Sequence, residues 1–493
     1  MYRLPVLSIL LPLLSGAFLL VWRPESRKVR NLYTMTAVII SAVFVLGTVS
    51  AAWLRGSDAV AFPVFSLGNM LELAFRPDGP SLIFGGIIGV LWPITTLYAF
   101  SYMSHEGWEN RFFGFFIMTF GVVAGIAFSA NFFTMYLFYE LMTLVTLPLV
   151  MHQMDGKARS AGKKYILYSM SGAALIFIVL VFLLHYGSTL DFRMGGVLDA
   201  AKIRGHERAL LLVFVLGFFG FGAKAAVFPL HGWLPSASVA PTPVTALLHA
   251  VAVVKSGAFA VMRLIYFSFG TGFLSGTWAQ YTAISVSAFT IAYGSIMALR
   301  MPHLKRRLAY STVSNLSYIL LAFSLMTAQG LTGGLLHMIF HAVIKITLFF
   351  CAGAVLHRTG FEYLDEMEGL CKQMPATCGV FLLSSLALIG VPPLCGFMSK
   401  WVIGTAAAGL GTWAGHLGAA ALIVSAVLTT LYLMTAAVRF FFPLKSVPLS
   451  GTGRNEADWK MLLPLVLLSV LIVGLSLLSG RLICLLSVIG GAA

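Results

Sequence analysis

Long apolar stretches fill this 493-residue chain almost from end to end, and they constrain its fold more than any other feature. Most are about 20 residues long, the length that an α-helix needs to cross the hydrocarbon core of a bilayer. Transmembrane β-barrels alternate apolar and polar residues, whereas these stretches are continuous. Because backbone polar groups inside a bilayer must be bonded within the segment, the sequence predicts an all-α polytopic membrane protein.

Charged residues make up only 10% of the chain, against about 25% in a soluble domain, so little of it is left for a soluble enzyme domain. The net charge of +15 does not indicate a nucleic-acid partner. The basic residues lie in short loops between apolar stretches, which is the pattern that orients a membrane protein.

We predict about fourteen transmembrane helices, with the expected break between the fourth and the fifth at Asn131. They are placed at 4–22, 31–53, 81–103, 112–130, 131–151, 164–187, 208–230, 241–268, 277–300, 308–328, 331–357, 376–410 (interrupted), 416–442 and 460–482. The first has no small-residue cleavage site after it, so we expect it to be retained as a span and not removed as a signal peptide.

Orientation follows from the loop charges. Basic clusters follow odd-numbered spans, at Arg23/Arg27/Lys28/Arg30, Lys157/Arg159/Lys163/Lys164, Arg300/Lys305/Arg306/Arg307 and Arg439/Lys445/Arg454/Lys460. The 188–207 loop and its flank, with Arg193, Lys202, Arg204 and Arg208, is the exception. Since cytoplasmic loops carry the excess of Lys and Arg, we expect a multi-pass protein of the cell (inner) membrane with both termini on the non-cytoplasmic side.

Ionisable residues interrupt five of the predicted spans. They are Glu140, Lys224, His249, Lys255, His337, His341, Lys345 and Lys400. A charge at mid-bilayer costs roughly 2.5–3.5 kcal/mol on insertion scales, so such residues face a polar interior and mark ion or proton pathways. A series of them predicts a proton or ion path through the chain.

Two of these lysines stand beside helix breakers. Lys224 follows Gly220 and Gly222, and Lys400 follows the run Gly390-Val391-Pro392-Pro393. Proline removes a helix hydrogen bond and frees carbonyls, and transporters place broken helices of this kind at mid-membrane. We therefore predict broken helices at the seventh and twelfth spans, and we expect the carbonyls freed before Lys400 to hold water.

Glu140 and Lys224 form the strongest predicted pair. Burial weakens the proton affinity of an amine, and a nearby carboxylate restores it, so the pair could toggle a lysine between proton loading and release. The alternative is a static buried ion pair that joins two helices, although such pairs rarely stabilise more than apolar replacements do.

His337, His341 and Lys345 are spaced at i, i+4 and i+8 and share one helical face. Histidine titrates near neutral pH, which suits a relay step; a metal site or ordinary core histidines are the alternatives. His249 and Lys255 point about 120° apart on a regular helix. Either only one of them lies on the path, or the helix is irregular near Gly257.

The five cysteines are scattered without a C-x-x-C pair, so no iron–sulfur cluster is expected in this chain. We also predict no flavin, haem, nucleotide or metal site, and thus no redox active site in this subunit.

At the motifs that hold these charges, the sequence resembles the antiporter-like subunits of respiratory complex I and their relatives in energy-converting hydrogenases and Mrp-type cation/proton antiporters. The matching stretches are LFYELMTL, GAKAAVFPLHGWLPSA, APTPVTALLHA, LKRRLAYSTVSNLSYILL, LHMIFHAVIKITLFFCAGAVLH and GVPPLCGFMSKW, within about residues 110–405. Two departures are the end of the chain at Ala493, without the long lateral helix of the largest complex I member, and the lack of an acidic residue in the sixth span.

The resemblance implies two inverted five-helix repeats, at 112–268 and 277–442, after an N-terminal three-helix segment (1–111) and before a C-terminal transmembrane helix (443–493). By match to the motifs, Glu140 and Lys224 are the first pair, Lys255 and His249 the middle of the path, and the His337/His341/Lys345 set the link to a terminal Lys400. It also implies other membrane subunits as partners.

Three functions follow. The first is a proton-translocating subunit of a complex I-related redox complex, of the quinone oxidoreductase or hydrogenase type. The second is a subunit of an Mrp-type Na⁺/H⁺ antiporter, in which Na⁺ also moves. The third is a membrane scaffold whose buried charges only hold helices together.

Overall fold

The chain folds into a bundle of long helices that pack against one another. A computed structural model describes residues 3–55, 61–68, 71–443 and 455–489. Within these residues, eleven helices are long and apolar enough to cross a membrane. The prediction of a helical polytopic membrane protein is therefore confirmed.

The elements in chain order are α1 (Leu4–Trp22), α2 (Arg27–Arg55), β1 (Phe62–Leu67), β2 (Leu71–Phe75), α3 (Gly79–Tyr102), α4 (Glu109–Ala127), α5 (Phe132–Val150), α6 (Gly156–Tyr186), α7 (Glu207–Lys224), α8 (Trp233–Ser236), α9 (Thr242–Ala250), α10 (Val253–Met262), α11 (Thr271–Leu274), α12 (Trp278–Arg300), α13 (Leu304–Ser324), α14 (Ala328–Thr359), α15 (Pro375–Ile389), α16 (Cys395–Gly409), α17 (Trp413–Phe441), α18 (Trp459–Leu477) and α19 (Ser479–Ile489). A π-helical segment, Arg263–Phe269, extends α10.

The predicted spans 208–230, 308–328 and 376–410 are not among these eleven helices. The last is divided between α15 and α16, each of 15 residues, which is too short to cross a bilayer alone. At the C-terminus, the predicted single helix 460–482 is two helices, because α18 ends at Leu477 and α19 follows. Within the predicted segment 443–493, residues 444–454 and 490–493, with Lys445 and Arg454, lie outside the described residues.

A two-stranded antiparallel hairpin of β1 and β2 corrects the all-α prediction. The hairpin covers the turn between α4 and α5: the Asn131 side chain donates to the Glu72 carbonyl at 2.8 Å, and the Ala74 amide donates to Thr134 Oγ1 at 3.0 Å. Asn131 also caps α5 by accepting a hydrogen bond from the Thr134 amide, so the predicted break there is confirmed.

The helices that carry the charges are the innermost ones. The most apolar window of Thr242–Phe269 is fully buried, and that of α14 is 89% buried, whereas only 33% of α1 and 28% of α18 are buried within the chain. The outer helices shield the inner ones from lipid, so the ionisable side chains of α10 and α14 lie in protein and not in hydrocarbon.

Candidate functional site

Lys224 is the last residue of α7 and its side chain is buried. The helix ends there and residue 226 has a positive φ of 58°, so the predicted break of the seventh span is present and follows the lysine directly. A helix that stops in mid-bundle leaves carbonyls free for other partners.

Glu140 lies near the middle of α5 and is half-buried. Lys224 Nζ donates to the main-chain carbonyl of Tyr139 and lies 3.6 Å from the centre of its ring. The two described side chains form no direct ion pair, and Glu140 Oε1 has no hydrogen-bond partner. The direct ion pair of the static alternative is therefore not formed, although the two groups are close enough to interact electrostatically.

His249 and Lys255 do not share a regular helix. The amides of Val251 and Ala252 both donate to the Leu247 carbonyl, and these two residues separate the end of α9 from the start of α10. The helix is therefore irregular, as one of the two alternatives had it, but the irregularity lies before Lys255 and not at Gly257. Gly257 serves a different purpose, because a Cβ there would lie 2.6 Å from the Ala225 amide nitrogen, so only glycine lets α10 meet the end of α7.

Lys255 connects α10 to α14. Its Nζ lies 2.5 Å from Nδ1 of His341, and both side chains are fully buried. One turn away on α14, the ring of His337 lies 5.8 Å from that of His341. The predicted shared face is confirmed, and it joins a lysine from a helix distant in sequence. A lysine bonded to an imidazole nitrogen is an arrangement in which a proton can pass between the two nitrogens.

His337 extends the connection to α16. Its Nδ1 lies 2.9 Å from the Ser399 hydroxyl, and its ring stacks on Tyr318 at 5.4 Å. Lys400 is next to Ser399 in sequence, and its Nζ lies 5.4 Å from the centre of the same Tyr318 ring. The polar side chains from Lys255 to Lys400, which we call the central axis, thus follow one another across three helices.

The contacts of Lys400 differ from the prediction that the freed carbonyls before it hold water. The twelfth span is broken between α15 and α16, as predicted, but the freed carbonyls bond the lysine itself, since Nζ donates to Leu388 O at 2.7 Å and to Ile389 O at 3.0 Å. Lys400 also borders an apolar cavity of about 490 Å³ at the side of the bundle. The ammonium is therefore held by the end of one half-helix and lies beside an opening.

Lys345 forms a branch of the axis. Its Nζ donates to Leu308 O at 2.9 Å and to Ser311 Oγ at 2.7 Å, and Ser311 is 2.7 Å from the Tyr432 hydroxyl. This branch leads from α14 through α13 to α17. His249 is buried against Phe349, and neither of its ring nitrogens has a protein partner within the described residues.

Sequence reasoning overlooked the polar side chains of α13. Ser311, Asn315 and Tyr318 recur at i, i+4 and i+7, a spacing that puts them on one face, and all three are buried. That polar stripe in an apolar helix was a usable signal. It also overlooked Arg263, fully buried in the π-helical segment, whose guanidinium bonds both carboxylate oxygens of Asp78 at 2.5 and 2.6 Å.

In the part of the chain that the structure describes, no group of three or more His, Cys, Asp or Glu is arranged to hold a metal ion. His337 and His341 face a lysine and a serine, which are not a metal-binding set. The absence of a redox cofactor in this subunit stays a prediction.

Replacing Gly396 with alanine is expected to destabilise the broken helix beneath Lys400. A Cβ at this position would lie 1.9 Å from the Ala387 carbonyl oxygen, so the two halves of the twelfth span must separate, at a cost of about 1–3 kcal/mol. Thermal unfolding in detergent measures the loss. Gly404→Ala on the same helix is the matched control, because nothing lies within 4 Å of its Cβ; equal melting of the two variants would contradict the expectation.

The fold and the axis define a class of protein: a multi-pass membrane protein with a buried row of ionisable side chains. A family model described as NADH:quinone oxidoreductase/Mrp antiporter, transmembrane region, matches residues 129–439. This chain belongs to that family of antiporter-like subunits.

NADH-quinone oxidoreductase subunit N of Desulforudis audaxviator is 32% identical over 391 residues, 76% of this chain and 75% of that protein. Hydrogenase-4 component B of Escherichia coli is 33% identical over 348 residues, 67% of this chain but 50% of that longer protein. A chain of the membrane-bound sulfane sulfur reductase, an archaeal respiratory membrane complex, superimposes with a TM-score of 0.85 at 23% identity, covering 99% of this chain and 97% of that one, and this likeness concerns the fold alone.

Proposed function

We propose that this chain is the proton-translocating subunit of a complex I-related membrane complex, working without a redox cofactor of its own. The observation that carries the proposal is a buried row of two hydrogen-bonded pairs, Lys255–His341 and His337–Ser399, which ends beside Lys400. The rings of His341 and His337, which separate the two pairs, lie 5.8 Å apart. Each member can accept and return a proton, which a purely structural charge need not do.

The proposed direction of transfer is from Glu140 and Lys224 at one end to Lys400 at the other, within two inverted repeats of a fourteen-span protein. Both ends lie at the side of the bundle, since Glu140 is half-buried and Lys400 borders the lateral cavity. Other membrane subunits would cover these positions and exchange protons there. The alternative is a subunit of an Mrp-type Na⁺/H⁺ antiporter, and the description of the family model names such antiporters beside NADH:quinone oxidoreductase.

The test uses the assembled native complex in sealed vesicles with a pH-sensitive dye. Proton movement driven by an electron donor, and unchanged in Na⁺-free buffer, is the expected result. Proton movement that requires a Na⁺ gradient and no electron donor would replace the proposal with the antiporter alternative.

Glu140→Gln is expected to leave the complex assembled and to lower translocation about tenfold or more, because Lys224 loses the nearby charge that favours its protonated form. Assembly is measured on a native gel and translocation with the dye. Glu72→Gln, a carboxylate in the hairpin outside the axis, is the control. Full translocation by the assembled Glu140 variant would remove Glu140 from the pathway.

Both termini are expected on the non-cytoplasmic side of the membrane, since the basic loops follow odd-numbered spans. A cysteine tag at either end should react with an impermeant thiol reagent in intact cells. Labelling that needs inside-out vesicles would reverse the proposed orientation.

A further inference from the structure

A basic cavity lies where α1 ends and where α2 and α4 begin. None of its lining residues belongs to the central axis. Its volume is about 730 Å³, and four arginines line it: Arg23, Arg27, Arg30 and Arg111. Two carboxylates, Glu25 and Glu109, line it as well, so its formal charge is +2. We call this cavity the arginine pocket.

Ion pairs with Glu109 occupy two of the four arginines, and the other two are available to bind an anionic ligand. Glu109 binds Arg30 and, at 3.1 Å, Arg27, so these three charges are already engaged. Arg23 and Arg111 have no carboxylate partner among the described residues. Arg23 donates through Nε to the Leu20 carbonyl at 2.9 Å, and Arg111 donates to the His152 carbonyl while its own Nε is buried without a partner.

The floor of the pocket is closed. Just below it α1 and α4 touch through glycines, since a Cβ on Gly16 would lie 2.5 Å from the Gly114 carbonyl oxygen. A ligand therefore enters from the rim and cannot pass between the helices. The rim carries Trp108, which is 74% exposed, and an exposed tryptophan at a helix end is typical of the membrane–water interface.

Apolar side chains suited to lipid tails lie next to the pocket. In the last turns of α1, Phe18 is 53% and Val21 83% exposed, within five residues of Arg23. An amphiphile could put an anionic group between the arginines and its chains against this part of α1. A soluble anion without lipid chains would contact the arginines and would not use the apolar side chains of α1.

We propose that the arginine pocket binds the phosphate headgroup of an anionic phospholipid. Guanidinium groups bind phosphate oxygens in pairs, with geometry that lysine cannot reproduce, and basic pockets between transmembrane helices are a recurrent site for acidic lipids. Arg23 and Arg111 supply the contacts to phosphate, and Arg27 and Arg30, held by Glu109, shape the wall. The site is separate from the proton pathway and does not depend on the proposed function.

The experiment is a lipid titration of the purified full-length chain, delipidated in detergent and followed by native mass spectrometry. Phosphatidylglycerol is expected to bind with higher affinity than phosphatidylcholine, and its binding should weaken as salt is raised. The double variant Arg23→Gln/Arg111→Gln should lose about tenfold or more of the affinity for phosphatidylglycerol and none for phosphatidylcholine. The control is Arg159→Gln, an exposed arginine on α6 outside the pocket.

Thermal unfolding of each variant without added lipid shows whether that variant is folded. If the double variant is not folded, the lipid titration is done with the single variant Arg23→Gln. Equal affinity of the wild type and the pocket variants for phosphatidylglycerol would overturn the proposal. So would an equal loss in the Arg159 control, which would indicate general surface charge. Glycerol phosphate competing as strongly as the lipid would overturn the lipid assignment in favour of a soluble anion.

Discussion

Lys255→Gln is expected to abolish proton translocation in a complex that still assembles. Lys255 is the one lysine on the described axis that bonds directly to a histidine of another helix, so its removal separates α10 from the His341/His337 pair. Glutamine keeps most of the volume and a polar end but exchanges no proton at neutral pH. A loss of about 100-fold or more is typical when a proton-transfer group is removed.

The control for this variant is Lys305→Gln, a buried lysine at the start of α13 that lies outside the axis. Native gels report assembly, and a pH-sensitive dye in vesicles reports translocation. If Lys255→Gln pumps as well as Lys305→Gln, the buried charges only hold helices together and the scaffold hypothesis takes the place of the relay.

Lys400 is expected to show an equally large effect, and here the choice of substitution separates two roles. The Lys400 amine donates to the carbonyls of Leu388 and Ile389 at the broken helix, and the residue borders the lateral cavity, where another subunit could meet it. Lys400→Ala removes charge and proton together. Lys400→Arg keeps the charge but cannot release it, since arginine stays protonated in proteins.

Both Lys400 variants are expected to fold, and both to lose about 100-fold of translocation or more, with arginine at most a partial rescue. Thermal unfolding checks the folding and the vesicle assay the translocation. Trp401→Phe, a neighbouring change at the same cavity that removes no ionisable group, is the control. Restoration of wild-type pumping by arginine would make Lys400 a fixed counter-charge for the half-helix and remove it from the relay.

The features that could be predicted from the sequence are those set by local physics. Apolar stretches of membrane-spanning length give the helical bundle, Asn131 gives a helix start, and the Gly390-Val391-Pro392-Pro393 run gives the break before Lys400. The i, i+4, i+8 spacing of His337, His341 and Lys345 gives their common face. Each of these depends on a few neighbouring residues, so no packing had to be known.

The contacts that make these residues a pathway could not be predicted. The bond between Lys255 and His341 joins residues 86 positions apart, and a helix interruption at Val251 and Ala252 precedes Lys255. No local rule gives that interruption, because neither residue is a glycine or a proline. The partner of Lys400 was also missed, because the free end of α15 offers its carbonyls equally to water or to a side chain, and only the fold brings Nζ within 3 Å.

The hairpin and the Lys224 contact also depend on tertiary packing, which local sequence patterns do not predict. Residues 71–75 form a strand that is held by Asn131 and Thr134 at the turn between α4 and α5, a tertiary effect on a short segment. Lys224 bonds the Tyr139 carbonyl, one residue from the predicted carboxylate, because α7 ends against the middle of α5. Sequence identified the correct helices and missed the exact partner.

The measurement that tests the central claim most directly is the number of protons moved per turnover by the intact complex in sealed vesicles. The comparison is between the wild type and the double variant Lys255→Gln/Lys400→Ala, with the driving reaction and the dye signal recorded in the same sample. The axis predicts a lower ratio of protons to turnovers in the double variant, which loses the protons carried by this subunit. An unchanged ratio at unchanged turnover would show that protons move by another route and would contradict the account.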